Sequence, residues 1–170
     1  MEIVLKPLET AEEAELLAKL FEEKGMRRDE GYFVRCLEEN RSGVRATLLG
    51  YGDGRIAGCA HLLMMSDYPL FADNGIPEIN DLNVFPEFRR QGIAGAMLDE
   101  FEVIAAARGY ARIGIGVGLY KDYGSAQRLY CRKGYIPDGT GVKYANRDVP
   151  PGDKVCLDDD LVLYSIKELG

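Results

Sequence analysis

Glu78-Ile79-Asn80-Asp81-Leu82-Asn83-Val84, then Phe85-Pro86-Glu87-Phe88-Arg89-Arg90-Gln91-Gly92, then Ile93-Ala94-Gly95-Ala96, is the stretch around which the rest of the chain is arranged. The first seven residues read as a strand, the next eight as a turn, and the last four as the opening of a helix made of very small residues. A strand that feeds a basic, glycine-containing loop at the start of a helix is a way to hold phosphate. The first helical turn has free N–H groups and a partial positive charge, and small residues let a ligand approach the backbone. Arg89 and Arg90 add full charges and bidentate donors. No Lys-Ser or Lys-Thr follows the glycine, and G-x-G-x-x-G is absent from this loop, so neither common phosphate-binding fingerprint applies.

Downstream, Ile93, Met97, Phe101, Ile104 and Ala105 recur at helical spacing up to Gly109, and residues 110–117 read as the next strand. Strand, helix and strand make a crossover, so the two strands should run parallel. Gly114, Gly116 and Gly118 are unusual in a strand, where glycine costs stability. Close approach by a ligand or another backbone is the compensation expected. A short helix is predicted over 123–133, then a strand at 142–147 and a last strand at 161–167, with a long loop between them.

Upstream, residues 2–8 read as a strand, and Thr10 to Glu13 forms a T-x-x-E capping box at the head of a helix ended by Gly25. A second helix is predicted over 29–40. The period then changes to two, with strands 45–51 and 55–65 flanking Gly52-Asp53-Gly54, a hairpin signal. Residues 66–75 read as a polar connection. No internal repeat or linker is visible, so the expectation is a single domain over 1–170, of α/β class with a mixed sheet.

The 170 residues include four cysteines in no C-x-x-C spacing and a single histidine, which leaves no zinc pattern. The cysteines read as reduced and mostly buried, and His61 reads as structural. The formal charge of −7 argues against general nucleic-acid binding and is compatible with a cationic substrate. No leader-like segment and no membrane span is legible, so the expected location is cytoplasmic, without membrane partners.

Two motifs carry a resemblance. Arg89-Arg90-Gln91-Gly92-Ile93-Ala94 is similar to the [Arg/Gln]-x-x-Gly-x-[Gly/Ala] motif of the GNAT superfamily, the acyl-CoA-dependent N-acyltransferases. Ala126-Gln127-Arg128-Leu129-Tyr130-Cys131-Arg132-Lys133-Gly134-Tyr135 resembles that family's Ala-x-x-Leu-Tyr-x-x-x-Gly-[Phe/Tyr]. The element order agrees over most of the chain. One departure is Tyr123, which stands where the family often has asparagine, and it bears on the cofactor contacts expected there.

The resemblance implies a GNAT fold, with the fourth and fifth strands parallel and splayed around the pantetheine arm. It implies acetyl-CoA as cosubstrate, no metal, and a primary amine of a small molecule as acceptor, attacked directly in a ternary complex. A second copy of the chain is compatible with it. The backbone of Arg90, Gln91, Gly92, Ile93 and Ala94, with Arg89 and Arg90 for charge, would hold the pyrophosphate. A backbone N–H at Asn83 or Val84 would face the oxyanion. Tyr130 would give a proton to the departing thiolate. Glu78 and Asp81, on the strand before the loop, are the two candidate bases for the incoming ammonium, whose pKa is ~10. Cys131 points about 100° away from Tyr130 around the helix, which disfavours an acyl-cysteine route. Acylation of a protein amino group, or acyl-CoA binding without catalysis, are the other readings.

Overall fold

The computed structural model describes all 170 residues. The chain forms two compact units, Met1–Met64 with Asp81–Asp99 and Met65–Asn80 with Glu100–Gly170. Two elements contribute residues to both: the fourth strand, β4 (Glu78–Val84), and the long helix α4 (Ile93–Ala107).

The first unit begins with β1 (Ile3–Pro7) and α1 (Ala11–Glu23). The predicted capping box closes on both sides: the Glu13 N–H donates to Thr10 Oγ1 at 3.2 Å, and the Thr10 N–H donates to Glu13 Oε2 at 3.1 Å. Helix α2 (Tyr32–Ser42) starts later than expected, after Gly31 in the left-handed region. Strands β2 (Arg45–Gly52) and β3 (Arg55–Leu63) pair as an antiparallel hairpin. Its two turn residues, Asp53 and Gly54, both have positive φ, the form of turn that matches the twist of a hairpin. The apolar faces meet around Phe21, whose ring lies edge-on to Phe33 at 5.0 Å and to Phe85 at 5.4 Å. Gly50 of β2 leaves the space into which Met97 and Ile93 of α4 pack.

The second unit contains the start of β4, the short helix α3 (Pro69–Asp73), the end of α4, β5 (Arg112–Gly118), α5 (Gly124–Arg132), β6 (Ile136–Tyr144), β7 (Arg147–Asp148) and β8 (Leu161–Glu168). The strand order is β1-β2-β3-β4-β5-β8-β6-β7. Strand β4 runs parallel to β5, with Glu78 opposite Gly114 and Ile79 opposite Ile115, whereas β8 runs antiparallel to both β5 and β6. The mixed α/β sheet expected from the sequence is therefore the one observed.

Three local readings change. The connection at 66–75 carries α3, begun by Pro69 in the first turn, where a missing N–H costs nothing. The strand expected at 142–147 instead crosses a hairpin turn, because Ala145 and Asn146 both take positive φ; β6 starts earlier, at Ile136, and β7 follows the turn. Of the cysteines, Cys36 and Cys59 are buried, whereas Cys131 and Cys156 are exposed.

The glycines of β5 also have a different cause from the one expected. A Cβ on Gly114 would lie under 3.0 Å from the Phe71 ring, and one on Gly118 would collide in the same way with the Tyr123 ring. At Gly116 the obstacles are Val162 and Tyr164. Aromatic side chains of the same unit thus fill the space that the missing methyls leave. Phe71 is fully buried and packs edge-on to Tyr68 and Tyr164. Gly114→Ala should therefore overpack this cluster and cost about 1–3 kcal/mol of stability in denaturant unfolding. Combining it with Phe71→Leu should cost less than the sum of the two single changes.

Candidate active site

The loop between β4 and α4 combines exposure with an unusual backbone. Residues 89–92 are exposed, and Arg90 and Gly92 have φ of 60° and 95°. The first helical bond runs from the Ala96 N–H to the Gly92 carbonyl at 2.9 Å, so the N–H groups of Ile93, Ala94 and Gly95 precede the ladder. Ala94, Gly95 and Ala96 are half-buried and present almost no side chain. The loop is braced from beneath: Arg89 Nε donates to the Val84 carbonyl at 3.0 Å, Gln91 Nε2 donates to the Glu87 carbonyl at 3.0 Å, and Glu87 is ion-paired with Lys24. Arg89 is thus partly spent on its own backbone. An open helix start with small residues and an exposed arginine fits a pyrophosphate.

Strand β4 supplies the next part of the site. Asp81 has φ of 49°, a left-handed residue inside a strand, where an L-residue other than glycine is uncommon. Its carboxylate accepts hydrogen bonds from Arg28 Nε at 3.1 Å, Arg28 Nη2 at 2.7 Å, the Tyr32 hydroxyl at 3.0 Å and Asn83 Nδ2 at 2.7 Å. Burial would raise its pKa, but the Arg28 hydrogen bonds and charge outweigh burial and hold the carboxyl below its usual value. Asn83 Nδ2 also donates to the Asp81 carbonyl at 2.9 Å, which closes a ring within the strand.

Behind Asp81 stands His61, fully buried on β3. Its Nδ1 lies 2.8 Å from Thr47 Oγ1, and its Nε2 lies 3.3 Å from the Tyr32 hydroxyl. The Tyr32 hydroxyl donates to Asp81, so it can only accept from histidine. The proton is then on Nε2, and Thr47 donates to Nδ1. Burial, aided by the Arg45 charge, pushes the His61 pKa down to about 3, so the ring is neutral.

Glu78 and Tyr130 lie in the second unit. Glu78 is buried, accepts from the Ser66 hydroxyl, and accepts from Asn80 Nδ2 at 3.3 Å. Burial raises its pKa, partly offset by these two hydrogen bonds. Tyr130, on α5, is buried with its ring centroid 6.3 Å from that of Tyr135, and burial raises its pKa to about 12. Tyr123 covers Gly118 and donates to Asp159 Oδ1 at 2.8 Å, an acceptor it shares with the Tyr120 hydroxyl.

A family model described as "Acetyltransferase (GNAT) family" matches residues 6–135. The chain belongs to the GNAT acetyltransferase family. Its members are enzymes that move an acyl group from CoA to an amine, and the element order, the parallel β4 and β5, and the two motifs fit that membership. No curated protein matches the chain. Among solved structures, an N-acetyltransferase from Staphylococcus aureus Mu50 superposes with a TM-score of 0.72 at 16% identity, covering 100% of both chains. A GNAT acetyltransferase from Streptococcus pneumoniae gives 0.68 at 18% identity, over 99% of this chain and 100% of its own. One from Elizabethkingia anophelis, solved with acetyl-CoA bound, gives 0.59 at 18% identity over 98% of each chain. At such identities these likenesses show the fold alone. No helix is long and apolar enough to cross a membrane.

Sequence reasoning placed Asp81, Asn83 and Val84 on the strand before the loop and treated His61 as structural. It missed Arg28 and Tyr32 as partners of Asp81, and Ser66 as the partner of Glu78. Nothing local marks these residues, because each reaches its partner from a distant part of the chain.

The buried neutral state of His61 has a measurable consequence. Its folded pKa of about 3 lies below the ordinary 6.5, so between these values only the unfolded chain takes up the proton. Stability should therefore fall as pH drops through this window, by up to about 1.4 kcal/mol per pH unit from this group. His61→Gln should flatten the pH slope of the unfolding free energy by one proton, as measured by denaturant titrations at a series of pH values. Equal slopes would count against a buried neutral imidazole.

Proposed function

We propose that the chain transfers an acetyl group from acetyl-CoA to a primary amine of a small molecule, by direct attack in a ternary complex. The observation that carries this reading is the exposed loop 89–92, turned by left-handed Arg90 and Gly92 onto a helix start built of alanine and glycine. The backbone N–H groups of Arg90, Gln91, Gly92, Ile93 and Ala94, with charge from Arg90 and Arg89, would hold the pyrophosphate. Acetyl-CoA supplies the acyl group as a thioester, which is activated toward an amine.

The two β4 carboxylates divide by environment. An alkylammonium must lose a proton before it can attack, and a base works best when its pKa lies near the working pH. Glu78 is raised by burial, whereas Asp81 is held low by Arg28. Glu78 is accordingly the proposed base, acting directly or through water, and Asp81 has a structural task. The N–H of Asn83 or Val84 is the proposed oxyanion donor. Tyr130 stays neutral at any working pH because its pKa is about 12. Full proton transfer to a free thiolate of pKa ~8.5 would be uphill, so Tyr130 acts first as a hydrogen-bond donor to the charge developing on sulfur.

The surroundings of Glu78 suit a cationic acceptor. Tyr68 and Tyr164 stack at 3.9 Å in the same unit, and burial first, then the charges of Glu78, Asp67 and Asp138, raise the Tyr164 pKa. A group of carboxylates favours an ammonium group. The net charge of −7 acts in the same direction.

The decisive experiment is free-thiol release from acetyl-CoA across a panel of amines, preceded by a thermal-shift test with CoA. Stabilisation by CoA and turnover with at least one amine are expected; no stabilisation would remove the reading. Ala94→Glu should keep thermal stability, since a carboxylate suits a helix N-terminus, yet weaken CoA binding at least about tenfold through repulsion of the pyrophosphate. Tyr130→Phe should lower kcat by about 10²-fold with CoA affinity nearly unchanged, and Glu78→Gln should lower it similarly while abolishing the acid limb of the kcat/KM profile. That limb should lie above the ordinary 4.5 of glutamate, because activity requires the ionised form of a carboxyl whose pKa is raised.

A further inference from the structure

Three observations about residues 81–85 converge on Arg28, which no motif of the chain includes. The first is conformational. Asp81 takes φ of 49° in the middle of β4, a state that persists only where the surroundings over-determine it. The second is the grip on its side chain. Arg28 presents both Nε and Nη2 to the two Asp81 oxygens, a fork that lysine cannot reproduce. Arg28 is itself immobilised: Nη1 donates to the Met26 carbonyl at 2.9 Å, and the guanidinium lies 5.0 Å over the Phe21 ring. The third is the neighbouring strand. The Phe85 N–H donates to the Ala57 carbonyl at 2.7 Å, and Gly58 sits so close to the Asn83 carbonyl that a Cβ there would overlap it. Residues 81–85 are thus held by Arg28 and Tyr32 at one end and pressed against β3 at the other.

We propose that Arg28 is a positioning residue for acyl transfer: by gripping Asp81 it holds the kink in β4 that directs the Asn83 and Val84 N–H groups to the reacting carbonyl. This rests on the assignment of those N–H groups as oxyanion donors. Rotation at φ of residue 81 moves every later peptide of the strand, and Asn83 is only two residues on. A misplacement of about 1 Å at a reacting centre can cost about 10²-fold in rate. Arg28 bonds to Asp81 and Met26 and lies over Phe21, none of them in the 89–92 loop, so its loss should appear in kcat and leave the binding of CoA alone.

The test compares Arg28→Gln, Arg28→Lys and Leu17→Ala, the last a buried α1 change that lowers stability without touching Asp81. In thiol-release assays Arg28→Gln should lose about 10–100-fold in kcat, with KM for acetyl-CoA changed less than about threefold and the CoA thermal shift retained. Arg28→Lys, which keeps the charge and loses the fork, should fall between this variant and wild type. Leu17→Ala should keep kcat within about twofold despite its lower Tm. Independently of turnover, the amide 1H–15N resonances of Asn83 and Val84 in the unliganded chain should move in Arg28→Gln and stay in place in Leu17→Ala. The inference is overturned if those resonances are unmoved, or if Arg28→Gln loses no more kcat than Leu17→Ala. If Arg28→Gln fails to fold, Tyr32→Phe removes one Asp81 bond with the ring retained, and the same readouts apply with a smaller effect. If wild type releases no thiol with any amine, the proposed activity fails, while the resonance comparison still decides the role of Arg28.

Discussion

The ion pair between Arg28 and Asp81 is the constraint on which the bend in β4 depends. A left-handed residue outside glycine costs of the order of 1–3 kcal/mol, with aspartate at the low end. A hydrogen bond involving a charged group contributes about 1.5–3 kcal/mol, and Asp81 accepts four of them. The side-chain bonds therefore outweigh the backbone strain, and the kink is stable because of partners that are remote in sequence. Those partners have supports of their own. Phe21 lies beneath the guanidinium, and Tyr32 is backed by His61, which is backed in turn by Thr47.

The same strand carries two carboxylates with opposite tendencies. Glu78 is buried beside neutral donors, Ser66 and Asn80, so desolvation prevails and its pKa rises. Asp81 is also desolvated, but a guanidinium in direct contact reverses the outcome. Two acids three residues apart thereby acquire pKa values displaced in opposite directions. Identical side-chain chemistry is sorted by surroundings alone.

Much of the fold was legible because its signals are local. The capping box at Thr10, the hairpin at Asp53-Gly54 and the glycine-bearing loop after β4 each depend on neighbours within a few residues, and each closes as read. Where the structure departs from the local signals, most determinants are remote. Gly114, Gly116 and Gly118 announce a close approach but not its source: Phe71, Val162 and Tyr164 come from elsewhere in the chain, and only Tyr123 folds back from nearby. The turn at Ala145-Asn146 was read as strand because alanine carries no turn signal, and its left-handed φ sits beside an Asn146 whose side chain accepts from Tyr164 at 2.5 Å.

Read alone, the amino-acid sequence specifies the class of the fold, the family and the glycine-bearing loop that opens α4. These follow from hydrophobic period, helix and turn signals, and two motifs, all properties of short segments. Tertiary contacts set which β4 carboxyl has a raised pKa and which a lowered one, why a strand carries three glycines, and that a lone histidine is neutral. Most of those outcomes turn on contacts remote in sequence, such as the one across the 53 residues that separate Arg28 from Asp81. A local pattern cannot encode such a contact, because it exists only once burial has brought the two side chains together and removed the water between them.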